Sequence, residues 1–308
     1  MTDVVVVGAG IVGLASAYEL ARRGLSVTIL EARRVAAMAS GWTLGGVRQS
    51  GRHVAELPLA QASVRRWAQL EEELGAPTGY VRGGNLRLAR TPEEVETIAA
   101  LVEAQRDLGL ELDFLPDVSA IRALAPAIGS VALAASFCAS DGAAEPDLAC
   151  AAYAAAARRL GTTLREGASA TAILERGGRV VGVATERGGT ISCDRVVVAA
   201  GLETPRLLAS FGVDLPIVAK RVCVLRTTPA PPVLEQVFGV ANADCAGRQD
   251  ASGRLRVTTG IDDWAGDPAR WTREAVARSI TQTVDLIGRA SAVLPALGAL
   301  GFDEVWGG

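Results

Sequence analysis

The fold is decided by residues 4–31, which read VVVVGAGIVGLASAYELARRGLSVTILE. An apolar run, Val4–Val7, leads into the pattern G-x-G-x-x-G at 8–13, and a helical pattern follows. A second apolar run, Val27–Leu30, ends at Glu31. Strand, glycine turn, helix and strand in this order, with an acidic residue after the second strand, are typical of a dinucleotide-binding βαβ unit. The alternative interpretation is an apolar strand and helix with chance glycines.

Each glycine of the pattern has its own physical role. Gly8 allows a tight turn, Gly10 lets the backbone lie against a pyrophosphate, and Gly13 lets the helix pack close to the sheet. The free amides around Ile11 and Val12 then point at the phosphates, and the helix dipole favours negative charge there. The carboxylate that follows the second strand accepts hydrogen bonds from ribose hydroxyls and repels a 2′-phosphate, so NADP is disfavoured.

The nature of the dinucleotide stays open at this point between NAD and FAD. The sequence contains no second G-x-G-x-x-G, which leaves an NAD dehydrogenase or a flavoprotein whose substrate is its own reductant. The loop 39–49, ASGWTLGGVRQ, is rich in small residues and favours the flavoprotein, because it lets backbone approach a large planar cofactor. Its alternative interpretation is an ordinary flexible connection.

Composition limits the classes of protein that this chain can belong to. With 308 residues and a formal net charge of −3, it is long enough for two modest domains. No apolar run is long enough to span a membrane, and nothing resembles a signal peptide. Basic residues are interleaved with acidic ones, which gives no nucleic-acid footprint. A single histidine, His53, argues against a metal site.

The cysteine pattern indicates a reducing compartment. The five cysteines form no C-x-x-C pair and no metal spacing, so we predict buried, reduced thiols and a cytoplasmic protein.

The local patterns also predict secondary structure along the chain. The main predicted elements are helices at Leu57–Leu74, from Pro92 to Leu108 behind a capping box at 91–94, at Asp147–Leu160 and at Trp271–Leu294, with strands at Arg82–Ala89 and Asp194–Gly201 and a hairpin at 180–193.

These alternations predict an α/β protein in which two domains are interleaved. A Rossmann-like nucleotide-binding domain takes residues 1–80 and 142–218. An α+β substrate domain, built on an antiparallel sheet, takes 81–141 and 219–300. Residues 301–308 are predicted to begin a return to the first domain.

The chain resembles the FAD-dependent D-amino acid oxidase superfamily. The N-terminal pattern, the loop SGWTLGGVR at 40–48 and the strand RVVVAAG at 195–201 are similar to it. Within that group, the segments at 45–49, 80–86 and 136–146 most resemble the β-type subunits of sarcosine and proline dehydrogenases, opine oxidases and cyanide synthases. The resemblance implies an FAD cofactor, an amino acid or amine substrate, and partner subunits.

The resemblance also implies which residues contact FAD. These are Gly8, Gly10, Ile11, Val12, Gly13, Glu31, Ala32, Arg33, Ser40, Gly45, Gly46, Val47, Ala170, Ala200 and Gly201. The chain departs from the family pattern at Leu202-Glu203, where Ala-Trp is usual, and at Trp42-Thr43, where Arg-Asn is common.

The chemistry implied by the resemblance is oxidation of an amine next to a carboxylate. Such a reaction needs a cation for the carboxylate, and we predict Arg48, whose guanidinium offers a bidentate fork. The alternatives are a structural ion pair for Arg48, a weaker candidate at Arg221, which fits a domain-crossing salt bridge better, and a helix-entry role for His53. Some oxidases of the family that the chain resembles place a lysine near the flavin on the strand that 254–260 matches. Lys220 is the only lysine here and lies elsewhere, so the resemblance favours a dehydrogenase over an oxygen-using oxidase.

The resemblance raises a second hypothesis at the end of the chain. Family members continue beyond the DEVWGG of residues 303–308, and that continuation covers the flavin ring. We therefore expect a truncated chain or a partner that supplies this stretch, with weaker retention of FAD. The hypothesis competing with an active dehydrogenase is an inactive FAD-binding fragment, or a subunit of a larger complex.

Overall fold

The structure is a computed structural model that describes residues 2–267, 276 and 279–308. The strands are β1 (Val4–Val7), β2 (Val27–Leu30), β3 (Gly46–Val47), β4 (Asn85–Ala89), β5 (Asp113–Leu115), β6 (Ala134–Cys138), β7 (Gly142–Ala143), β8 (Thr163–Arg165), β9 (Ala170–Arg176), β10 (Arg179–Thr185), β11 (Thr190–Ile191), β12 (Arg195–Val198), β13 (Lys220–Thr227), β14 (Val237–Val240), β15 (Cys245–Gln249), β16 (Leu255–Asp263) and β17 (Phe302–Gly307). The helices are α1 (Ile11–Arg22), α2 (Ala39–Trp42), α3 (Leu57–Trp67), α4 (Leu70–Leu74), α5 (Pro92–Arg106), α6 (Val118–Leu124), α7 (Pro146–Arg159), α8 (Thr204–Leu208) and α9 (Ile280–Val293).

A four-stranded parallel sheet in the order β12-β1-β2-β8 organises the nucleotide-binding half. All four valines of β1 are buried, because layers cover both faces of a parallel sheet. Helix α1 packs on α7 over this sheet, where the rings of Tyr18 and Tyr153 meet edge to face at 5.8 Å. Parallel strands bring their carboxyl ends to one edge, so the loops after β1, β2 and β12 lie together there.

The second half is an eight-stranded sheet in the order β17-β13-β16-β15-β14-β4-β6-β5. Only β14 and β4 pair in parallel, and the other neighbours are antiparallel. Helix α9 covers one face, where Leu286 and Val293 pack with Leu86 and Phe238 in the largest core. The predicted combination of a Rossmann-like parallel sheet with an antiparallel α+β sheet is confirmed. No helix within the described residues is both long and apolar enough to span a bilayer.

Several predicted boundaries differ from the structure. The helix expected over 57–74 is split into α3 and α4, which are separated at Ala68 and Gln69. At α5 the Thr91 side chain accepts from the Glu94 amide as predicted, but the Glu94 carboxylate accepts from the Arg90 amide, so the capping box is only half formed. The helix predicted from Trp271 is described from Ile280 onwards, and its predicted start lies outside the described residues.

The last strand differs from the sequence prediction. Residues 301–308 were predicted to begin a return to the nucleotide-binding domain, whereas β17 pairs antiparallel with β13 at the edge of the larger sheet. The strand still touches the other half, because Trp306 Nε1 donates to the Trp42 carbonyl at 3.4 Å. We retain the predicted division into two domains as a proposal, since it follows the two sheets. The first domain takes residues 1–80 and 142–218, and the second takes 81–141 and 219–300.

Glu145 joins the two halves through a partly buried ion-pair network. Its carboxylate, just before α7, accepts from Arg248 Nη1 at 2.9 Å and from Arg256 Nη2 at 3.1 Å. Arg248 is 5% exposed and also donates to the carbonyls of Leu44 and Ala144. This crossing was not predicted from the sequence.

Arg221, for which the sequence favoured a domain-crossing salt bridge, forms an ion pair inside one sheet. Arg221 on β13 pairs with Asp262 on β16 at 3.9 Å. These two residues are opposite each other in the register of the two strands. The ion pair therefore lies within the larger sheet and does not connect the two halves of the chain.

We predict that Glu145→Gln strongly destabilises the protein. The substitution leaves two guanidiniums without their shared carboxylate, although Arg256 keeps Asp250. Breaking a fully buried ion pair from one side costs about 3–5 kcal/mol, so this partly buried network should lie towards the lower end of that range. The matched control is Glu203→Gln, which removes a solvent-exposed pair with Arg206 and costs about 0–1 kcal/mol. Urea unfolding measures both free energies of unfolding; equal losses in the two variants would contradict the role of Glu145.

Candidate cofactor and substrate site

The turn between β1 and α1 has no space for side chains at two of its glycines. Gly8 has φ +105°, and a β-carbon there would lie 2.4 Å from the Ala199 carbonyl oxygen. A β-carbon at Gly13 would lie 1.9 Å from the Gly8 carbonyl oxygen. Both distances are far below van der Waals contact. The start of α1 is therefore packed against the carboxyl ends of β1 and β12, as the sequence predicted for Gly13.

The N-terminus of α1 presents a cradle for a diphosphate. The amides of the first helical turn have no acceptor within the helix, and those of Val12 and Gly13 belong to this turn. The Ile11 amide donates to Ser40 Oγ at 3.0 Å, which leaves the serine hydroxyl hydrogen for another acceptor. A β-carbon at Gly10 would come within 3.0 Å of the same Oγ. These donors fit the diphosphate of a dinucleotide.

The Glu31 carboxylate lies at the carboxyl end of β2. Its Oε2 accepts from the Ala9 amide and its Oε1 from the Arg33 amide, both at 2.8 Å. Each oxygen keeps a further lone pair, which fits the ribose hydroxyls that the sequence predicted for this position. Ala32 is exposed beside it, and the Arg33 guanidinium reaches Met38 Sδ at 3.1 Å.

The remaining predicted cofactor residues lie in two places. Ala200 and Gly201 follow β12, and Gly201 has φ +56°. Ala170 begins β9, is buried, and its carbonyl accepts from Arg206 of α8 at 3.3 Å. The second place is the cofactor loop, residues 40–47, which begins in α2 beside the start of α1 and ends in β3. It contains Gly45, Gly46 and Val47, of which the last two pair with β7.

A cavity of about 560 Å³ opens between this loop and one face of the larger sheet. Its wall comes from α2 and the following residues, and its floor from β13, β14, β15, β16 and β4. The floor is largely apolar. The described side chains lining the cavity include four basic and no acidic ones; the basic residues are Arg48, Arg52, Arg87 and Lys220.

Arg48 lies in this cavity, as the prediction of a carboxylate-binding cation requires. Its Nη1 donates to the Ser50 carbonyl at 2.8 Å, and among the described residues it forms no ion pair. Burial, with Arg52 and Arg87 nearby, lowers the pKa of Arg48 from its usual value. A guanidinium stays protonated at neutral pH even so. Arg48 is therefore a cation available to an anionic ligand, and the alternative of a structural ion pair is not observed.

A buried carboxylate that sequence reasoning missed holds the segment after Arg48. Asp141 is fully buried and accepts from the Gln49 amide at 2.8 Å, the Ser50 amide at 3.1 Å and Ser50 Oγ at 2.5 Å. Asn85 donates to the same Oγ at 2.9 Å. The only sequence signal was the position of Asp141 within the family-like segment 136–146. The network fixes the direction in which Arg48 leaves the backbone.

The other candidate residues have simpler roles. His53 is exposed and its Nδ1 accepts from the Ala55 amide at 3.2 Å, so the predicted helix-entry role is confirmed. Lys220 lies at the cavity and pairs with Asp263.

All five cysteines are free and buried, as predicted. Burial raises the pKa of Cys245, which borders the cavity, to about 12.

The fold and the cradle define a dinucleotide-binding protein with a cationic cavity beside its cofactor loop. Comparison with protein-family models matches residues 3–308 to the DAO family of FAD dependent oxidoreductases. The chain belongs to this family, which confirms the resemblance and FAD as the cofactor. Of the two dinucleotides that the glycine pattern left open, FAD is thus the one supported.

Individual relatives are similar along almost the whole chain. The 4-methylaminobutanoate oxidase (formaldehyde-forming) of Paenarthrobacter nicotinovorans is 29% identical over 97% of this chain, which spans 37% of that protein. Sarcosine oxidase subunit beta of an Arthrobacter species is 28% identical over 92% of this chain and 72% of its own length. The crystal structure of glycine oxidase from Geobacillus kaustophilus has a TM-score of 0.90 and 25% identity, covering 100% of this chain and 82% of that one.

We predict that Gly13→Ala abolishes flavin binding. The new methyl group would collide with the Gly8 carbonyl oxygen and push the start of α1 away from the cradle. The matched control is Gly288→Ala in α9, where a β-carbon meets nothing within 4 Å and alanine stabilises a helix by about 1 kcal/mol. The flavin-to-protein ratio after purification measures the effect. Full occupancy in Gly13→Ala would contradict the packing argument.

We also predict that the native protein is inert to thiol reagents at pH 8. All five thiols are buried, and burial raises the pKa of Cys138, Cys150, Cys193 and Cys245, which disfavours the reactive thiolate form at that pH. Titration with Ellman's reagent is expected to detect almost no thiol in the native state and all five in guanidinium chloride. Rapid labelling of one cysteine in the folded protein would show that a thiol is accessible.

Proposed function

We propose that this chain binds FAD and oxidises a small amino acid or secondary amine of the glycine, sarcosine, proline or opine type. The observation that carries the proposal is the position of Arg48, which forms no ion pair with any residue that the structure describes and lies in a cavity that begins where the cofactor loop ends. The relatives support it, since their names describe oxidases of 4-methylaminobutanoate, sarcosine and glycine. All three compounds combine an amine with a carboxylate.

The chain's residues divide the work between holding the cofactor and orienting the substrate. The amides around Val12 with Ser40 hold the diphosphate, and Glu31 holds the ribose. Arg48 binds the substrate carboxylate through two parallel hydrogen bonds, which directs the carbon beside the nitrogen towards the flavin. Apolar floor residues such as Val237 keep water away from the reacting carbon.

The proposed reaction needs little acid–base help from the protein. When bound, FAD would supply, at N5, the acceptor for the hydride that leaves the carbon next to the amine. The amine nitrogen releases its proton to water, the imine that remains is hydrolysed by water to a carbonyl compound, and a shorter amine or ammonia is released. The described lining of the cavity holds no acidic side chain, which fits catalysis by placement.

The electron acceptor that reoxidises the flavin is part of the proposal. β16 contains no lysine, and Lys220 is the only lysine in the chain. We therefore propose a dehydrogenase that passes electrons to an acceptor other than oxygen. The competing proposal is an FAD-binding fragment or subunit without turnover of its own. It draws support from the relative that is itself a subunit.

The test is reduction of the purified flavoprotein under nitrogen. Sarcosine, proline, glycine and an opine are added separately, and bleaching of the flavin absorbance is followed. Bleaching by one of them supports turnover, and mixing with air then measures whether oxygen reoxidises the flavin. A protein that holds FAD but is reduced by none of the four, while dithionite reduces it, favours the inactive subunit.

We predict that Arg48→Met lowers the second-order rate constant of flavin reduction about 10–100-fold. A hydrogen bond to a charged group contributes about 1.5–3 kcal/mol, and each 1.4 kcal/mol is tenfold. Arg48→Lys keeps the charge and loses the bidentate geometry, so its rate constant should be intermediate. Arg187→Met, in the exposed turn between β10 and β11, is the matched control. Unchanged rates in Arg48→Met with full flavin content would remove Arg48 from the site.

A further inference from the structure

Arg87 is a second cation on the floor of the cavity. It lies in the middle of β4, where Leu86 and Leu88 point into the main core, so Arg87 points to the opposite face. Its Nη2 donates to the Ala241 carbonyl at 2.7 Å, while its Nε is buried without a hydrogen-bond partner. Burial lowers the pKa of Arg87. The guanidinium is thus desolvated and only partly satisfied.

Arg87 and Arg48 reach the same point. A β-carbon at Gly51 would lie 2.7 Å from Arg87 Nη1 and 3.3 Å from Arg48 Nη1. Two guanidiniums so near each other repel, and burial weakens the screening by water. Within the part of the chain that the structure describes, neither of them forms an ion pair, whereas Arg52 pairs with Glu56 at 3.4 Å.

The larger sheet neutralises its other buried or half-buried guanidiniums with carboxylates. Arg90 pairs with Glu94 and Asp244, and Arg226 pairs with Asp303 and Glu304. Arg256 pairs with Glu145 and Asp250. The pair formed by Arg48 and Arg87 departs from this pattern at the place where the sheet faces the cavity. Because the described residues supply no carboxylate to Arg48 and Arg87, a negatively charged ligand can neutralise them.

Space is available beside Arg87. Its neighbour across β14 is Gly239, whose own partner on β15 is Ala246. Glycine has no side chain and that of alanine ends at its β-carbon, so these two positions place no long side chain over the Arg87 guanidinium. A carboxylate approaching over the floor meets Arg87, while Arg48 on the wall remains free to hold a second one.

We infer that the cavity takes an amine with two carboxylates, one held by Arg48 and the other by Arg87. This rests on the proposed function for the amine oxidation itself. The substrate class is an acidic amino acid or a secondary amine with a carboxylate on each side of the nitrogen. A monocarboxylate leaves Arg87 buried without a counter-charge, and each charge-assisted hydrogen bond contributes about a tenfold gain in affinity.

The first experiment measures binding without turnover. Succinate and butyrate have the same number of carbons and differ by one carboxylate, and neither has an amine to oxidise. Titration calorimetry with the FAD-loaded protein should give a dissociation constant about 10–100-fold lower for succinate. Arg87→Met should reduce this preference to less than about twofold, Arg87→Lys should restore part of it, and Arg187→Met should leave it unchanged.

Equal affinities for succinate and butyrate in the wild-type protein would overturn the inference. So would a preference that persists in Arg87→Met. A third contrary outcome is that Arg87→Met shifts the flavin reduction potential and leaves the preference unaltered, since Arg87 would then serve the cofactor. Thermal unfolding tests whether Arg87→Met is folded, and its melting temperature should not fall, because the substitution removes an uncompensated cation. If the melting temperature does fall, the preference for succinate is compared in Arg87→Lys instead.

The second experiment separates the inference from the proposed function. Sarcosine and iminodiacetate differ only in that a carboxymethyl group replaces the N-methyl group. Faster anaerobic reduction of the flavin by iminodiacetate than by sarcosine supports both the amine oxidation and the dicarboxylate site. Succinate binding with no reduction by any amine supports the dicarboxylate site and rejects the oxidation. Reduction by sarcosine, with no advantage for iminodiacetate and none for succinate in binding, supports the oxidation and rejects the second carboxylate.

Discussion

The constraint on which the site depends is the carboxylate of Glu145, held between two guanidiniums. It stands at the start of α7 in the nucleotide-binding half, and its partners Arg248 and Arg256 stand on adjacent strands of the other half. Arg248 also donates to the Leu44 carbonyl, which belongs to the cofactor loop. One partly buried network therefore connects the nucleotide-binding half, the cofactor loop and the cavity floor. The relative position of cofactor and substrate depends on it.

The sequence predicted the features that short-range patterns determine. The glycine pattern and the apolar runs on either side of it predicted β1, α1 and β2, because a tight turn and a close helix leave few alternatives. The predicted helix over 57–74 breaks at Ala68 and Gln69, where no glycine or proline marks the break. The return expected from residues 301–308 came from the family resemblance, and no local pattern predicted that β17 pairs with β13.

The site was predicted in part for the same reason. Glu31 and Ser40 lie within forty residues of the N-terminus and follow a known spacing, and Arg48 was found from the loop that contains it. Asp141, Arg87 and Glu145 were missed, because their roles depend on partners such as Ser50, Arg48 and Arg248 that lie far away in sequence. A single sequence gives no measure of which distant charges meet, whereas the three-dimensional arrangement does.

The hydrogen bond from the Ile11 amide to Ser40 has a mechanical consequence. Ser40 lies in α2, and Trp42 at the end of the same short helix lines the cavity. A ligand that accepts a hydrogen bond from the Ser40 hydroxyl would therefore contact the same short helix that forms part of the cavity wall. The N-terminus of α1 and the wall of the cavity are thus linked through the four residues of α2, so a change at one of them is felt at the other.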